Sequence, residues 1–97
     1  MNDTEKQIFA ALAEKGLKFE NPSWEVCRKW MMDREWKINV LADYPRDEIK
    51  FTIRRGFEHI EIAGFSDLEV LAKAITEIVH RHGANIPKPA ENIGLED

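Results

Sequence analysis

A chain of 97 residues with 43% hydrophobic and 33% charged side chains has the composition of one globular domain, with too many apolar residues for a disordered chain and enough length for a core without metal or disulfide staples. Its net charge of −4 lowers the expectation of a dedicated nucleic-acid or membrane binder, and its single cysteine, Cys27, excludes an internal disulfide framework. The start, MNDTEKQIF, lacks the basic residues and apolar run of a secretory signal, and no apolar stretch approaches the roughly 20 residues that cross a bilayer, so the expected compartment is the cytoplasm. Charge is uneven: residues 1–24 carry a net −1, residues 25–56 a net +2 and residues 57–97 a net −5.

The first helix is expected from about Thr4 to Lys15. Thr4-Glu5-Lys6-Gln7 has the spacing of a capping box, and Ile8, Ala11 and Leu12 form an apolar stripe. Gly16 follows as a left-handed stop, with Leu17 placed to touch Leu12. Asn21-Pro22 is expected to open a second helix reaching about Arg34, with Asn as cap and Pro at the first helical position. Trp24, Val26, Cys27, Trp30 and Met31 share its apolar face, and Met32 falls off it.

Three strands follow. Trp36, Ile38, Val40 and Ala42 alternate with Lys37, Asn39, Leu41 and Asp43, and Asp43 to Asp47 reads as a turn around Pro45. Ile49, Phe51 and Ile53 alternate with Lys50, Thr52 and Arg54. A two-residue turn at Arg55-Gly56 would lead into His59 to Ile62, placing Phe51 opposite Ile60, Lys50 opposite Glu61 and Arg54 opposite Phe57.

The last helix, Ser66 to His82, is the best-marked element. Ser66-Asp67-Leu68-Glu69 has the spacing of a capping box, and Phe65 with Val70 that of a hydrophobic staple. Leu68, Leu71, Ala72, Ile75, Ile78 and Val79 form one stripe, and Gly83 ends it. The expected fold is α+β, a three-stranded antiparallel meander packed against helices in the order α-α-β-β-β-α, with residues 1–83 as one domain and 84–97 as an extended or disordered tail.

Chemistry-bearing patterns are sparse. His80 and His82 stand two apart on a helix and point away from each other, so they are read as complements of the helix dipole. Cys27 lies on an apolar face, where a thiol is inert. No phosphate-binding, nucleophile-elbow or zinc-protease motif occurs, so neither a catalytic residue, a cofactor nor a metal is expected.

Binding surfaces are the remaining candidates. Tyr44, Arg54, Arg55 and Phe57 are of residue types enriched at protein interfaces or lie beside them, and make a candidate partner-binding patch. Lys37, Lys50, Arg54, Arg55 and Phe57 make an alternative nucleic-acid surface, basic groups beside an aromatic ring. A small-molecule or catalytic role around His59 and Asp47 is a second alternative. From Trp24 onward the α-β-β-β-α order resembles that of double-stranded RNA-binding domains. Those domains present basic residues at the start of the final helix, whereas Asp67 and Glu69 stand there in this chain and repel phosphate. The expectation is therefore a non-enzymatic domain that binds another protein, as an adaptor or inhibitor of the size seen among phage and mobile-element accessory proteins, or that binds a second copy of itself.

Overall fold

In the computed structural model, which describes residues 1–41 and 48–85, the chain runs α1 (Asp3–Glu14), α2 (Trp24–Asp33), β1 (Lys37–Leu41), β2 (Ile49–Arg55), β3 (Glu58–Gly64) and α3 (Asp67–His82). The strands form one antiparallel sheet in the order β1-β2-β3, so the α+β meander is as expected. The turn from Asp43 to Asp47 and the tail beyond Asn85 lie outside the described residues.

Two helix starts differ from the sequence expectation. Asn2 caps α1: its side chain accepts the Glu5 N–H at 2.8 Å, and the Glu5 carboxylate accepts the Asn2 N–H at 3.0 Å. This capping box replaces the one expected at Thr4, since Asn is the stronger cap and lies two residues earlier. Ser23 caps α2 by accepting the Val26 N–H at 3.2 Å, so Asn21 and Pro22 precede the helix instead of opening it. Val26 is exposed, because α2 buries only the narrow stripe Cys27, Trp30 and Met31.

The helix ends are tight. The Gly16 and Leu17 N–H groups donate to Ala13 and Leu12 carbonyls, the expected stop. At α2, Glu35 and Trp36 donate in the same pattern to Met32 and Met31, with Glu35 at φ 69°. Glu35 occupies the left-handed position that glycine usually fills, and the buried pair Met31 and Trp36 closes the motif.

The hairpin register differs by two residues from the expected one. Phe51 faces Ile62, Ile53 faces Ile60, Arg54 faces His59 and Arg55 faces Glu58. Lys50 therefore lies opposite Ala63, and Glu61 opposite Thr52, so the expected Lys50–Glu61 pair is not made. The cause is the turn, which consists of Gly56 and Phe57 with φ 59° at Gly56 only. A turn at Arg55-Gly56 in the favoured hairpin geometries would force Arg55 into positive φ.

α3 is the centre of the molecule. It lies against β2 and β3, and α1 and α2 pack on it in turn. Val70 and Ala74 are buried along with Leu71, Ala72, Ile75, Ile78 and Val79 of the expected stripe, Leu68 being half-buried, so the covered arc is wider than one face. Phe51, Ile53 and Ile60 meet it from the sheet, Phe9 and Leu12 from α1, and Cys27, Trp30 and Met31 from α2.

Its N-terminus is tied to that of α1. Ser66 accepts the Glu69 N–H at 3.0 Å and donates its hydroxyl to the Glu5 carboxylate, itself only 5% exposed. The expected second half of the α3 capping box is absent: Glu69 accepts the Phe65 N–H at 3.4 Å and pairs with Lys73 at 2.8 Å. Phe65 stays 68% exposed while Val70 is buried, so the staple does not cover Val70.

The Ser66 hydrogen bond outweighs burial and, with the Asn2 N–H and the N-terminal charge, holds the Glu5 carboxyl below the usual carboxylate range. A lowered folded pKa adds stability that is present above the unfolded pKa and lost as pH falls through the folded value. Ser66→Ala should raise the Glu5 pKa in an NMR titration and move this acid loss of stability to higher pH in denaturant melts. Glu35→Gly should stabilise the domain by about 0.5–1 kcal/mol, read as a higher melting temperature, by removing the side chain from a left-handed backbone.

Candidate functional site

The strand alternation gives the sheet two faces. Phe51, Ile53, Ile60 and Ile62 point toward α3, and Lys37, Asn39, Thr52, Arg54, His59 and Glu61 point away. The three helices lie on the first side, so the second is uncovered among the described residues.

The register then places basic groups side by side. Lys37 lies opposite Arg54, and Arg54 opposite His59, so one basic row crosses all three strands. Asn39, Thr52 and Glu61 form the next row. A shallow groove of about 580 Å³ is lined by Lys37, Asn39, Thr52, Arg54, Gly56, Phe57 and His59, with no carboxylate among them. Among the described residues no ion pair involves Lys37, Arg54 or His59. Phe57 projects from the turn at the end of this groove and is fully exposed.

Arg55 faces the other way. Its guanidinium lies 5.1 Å from the centre of the Trp36 ring and 3.7 Å from Glu58. Glu58 also takes Arg81 at 3.6 Å and His82 at 2.7 Å. Burial pushes the Glu58 carboxyl upward, but the His82 hydrogen bond and charge, with Arg55 and Arg81, outweigh it and hold it below the usual range. A second groove of about 660 Å³ opens on this side between Arg28, Met32, Glu35, Trp36 and Arg55, and shares Lys37 and Gly56 with the first. The Trp36 indole N–H beneath it is buried and unpartnered among the described residues.

Of the residues the sequence singles out, the structure brings Lys37, Arg54 and Phe57 together and adds His59 to them. Lys50 is on the same face, four residues along β2 from Arg54. Arg55 belongs to the second groove, and Tyr44 and Asp47 lie outside the described residues. Asn39 and Thr52 complete the donor set, and only their outward position in the alternation points to them. Cys27 is buried, and burial pushes its thiol up to about 12, which keeps it protonated. No group of three or more His, Cys, Asp or Glu side chains that could hold a metal occurs among the described residues, and no helix there is long and apolar enough to cross a membrane. No protein-family model, curated protein or solved structure matches the chain.

Like charges directly opposite in an antiparallel pair destabilise the sheet by a few tenths of a kcal/mol to about 1. Arg54→Thr removes that repulsion from Lys37 and puts a good strand former in its place. It should raise stability in denaturant melts by up to about 1 kcal/mol.

Proposed function

We propose that this chain is a non-catalytic binding module that docks another protein at the β2–β3 turn. The observation that carries the reading is Phe57, a whole aromatic ring held in solvent at a hairpin tip beside Lys37, Arg54 and His59, which lack a carboxylate partner among the described residues. Turn chemistry does not call for it, since the position after Gly56 favours small polar residues. Burying such a ring against a partner is worth about 2–3 kcal/mol, the scale of an interface hot spot. Lys37, Arg54 and His59 would meet carboxylates around it, favouring a partner with an acidic rim.

A single-stranded nucleic acid is the second reading, supported by the same basic row. Against it, the row holds three basic groups and one exposed aromatic, whereas single-strand binders stack successive bases on several rings.

Affinity capture from the native extract, with bound proteins identified by mass spectrometry, tests the first reading. Phe57→Ala should change folding stability by no more than about 0.5 kcal/mol, yet release the partner that the wild type retains. Arg54→Glu should release the same protein. An unchanged set of retained proteins in both variants rejects this surface. Fluorescence polarisation of a labelled oligonucleotide at low salt tests the second, and tight binding abolished by Arg54→Glu would replace the protein partner with a nucleic acid.

A further inference from the structure

β3 is an edge strand of seven residues, paired with β2 without interruption from Glu58 to Gly64. Edge strands are usually blunted by proline, bulges, covering elements or charged side chains; β3 has neither proline nor bulge, and its charges are Glu58, held by Arg55, Arg81 and His82, and Glu61. Among the described residues one side of β3 has no strand partner, and that side can be identified. The Lys73 ammonium donates to the Ala63 carbonyl at 3.2 Å, which marks Ala63 as facing outward. In an antiparallel ladder alternate residues share a direction, so Glu61 and His59 face outward too. The turn agrees: Arg55 and Glu58 flank a two-residue loop and exchange bonds across it, leaving the odd-numbered β3 residues for the edge.

We infer that this edge pairs with β3 of a second copy, antiparallel, with Ile60 on the two-fold axis. Charge chooses the register. With Ile60 on the axis, His59 of each copy lies opposite Glu61 of the other, twice, on the outer face. With Glu61 on the axis, two carboxylates would face each other, which is repulsive. The favoured ladder runs from Glu58 to Ile62 in each copy and stops short of Ala63, whose outward carbonyl Lys73 already occupies. Both sets of helices then lie on the same side of one continuous six-stranded sheet. On that side a groove of about 440 Å³, lined by Ile8, Ala11, Ile62 and Thr76 among others, runs beside the edge. It supplies apolar area that a bare strand pair would lack. Phe57, Lys37 and Arg54 of the docking surface at the turn lie outside the ladder, and His59 is shared by the two.

Sedimentation velocity of the full chain at concentrations up to about 200 µM tests the pairing and detects dissociation constants into the micromolar range. The wild type should dimerise. Glu61→Lys removes both Glu61–His59 contacts across the ladder and should raise the dissociation constant about tenfold or more. The double variant His59→Glu with Glu61→Lys exchanges the pair and should restore the dimer. Both positions are exposed, and circular dichroism of each variant confirms that the fold is retained. A wild type that stays monomeric, a Glu61→Lys variant that dimerises as well as wild type, or a double variant that fails to recover would each overturn the inference.

Discussion

Burial of α3 on more than one side is the constraint on which the rest of this structure depends. A helix covered only by a sheet needs one apolar stripe, and Leu71, Ala72, Ile75, Ile78 and Val79 would suffice. Here Val70 and Ala74 are buried as well, because α1 and α2 pack on α3 while the sheet lies beneath it. The polar residues of α3 are left a narrow strip, and Lys73, Thr76, Glu77 and Arg81 occupy it. Lys73 and Arg81 reach from that strip to β3, one to the Ala63 carbonyl and the other to Glu58.

The Glu5–Ser66 contact sets where α1 sits on this central helix. Each residue already works in its own helix start, Glu5 toward the Asn2 N–H and Ser66 from the Glu69 N–H. Joining them places one carboxylate near the positive ends of two helix dipoles, where a negative charge is favoured. Glu69 does not complete its own box. Its carboxylate turns to Phe65 and Lys73, while Ser66 is engaged by α1. A local capping motif has become a long-range link between residues 61 positions apart.

Stacking the helices on one side also leaves the opposite sheet face open among the described residues, and that face holds the candidate site. Its basic row exists because strand pairing aligns Lys37, Arg54 and His59, residues far apart in sequence. Arg55, adjacent to Arg54, is instead drawn across the Trp36 ring and toward Glu58, because successive strand residues point to opposite faces. The two arginines thus belong to different surfaces: one makes an ion pair within the fold, and the other is available to a ligand.

The sequence by itself determined the order of elements, the buried face of each strand and the helix stop at Gly16. All of these are local: a period of two or 3.6 residues, or a glycine after a helix, is legible without knowledge of distant contacts. It also marked Lys37, Arg54, Phe57 and His59 as outward. What tertiary structure decided was which of them meet. Moving the turn by one residue, from Arg55-Gly56 to Gly56-Phe57, moves every cross-strand partner by two and leaves both faces unchanged, so alternation cannot tell the registers apart. The choice rests on one backbone angle at Gly56, and it replaces an expected Lys50–Glu61 pair with a row of basic groups. The starts of α1 and α2 and the role of Glu5 were hidden for a related reason. Several nearby Asn, Ser and Thr residues could each cap a helix, and packing against α3 selects among them.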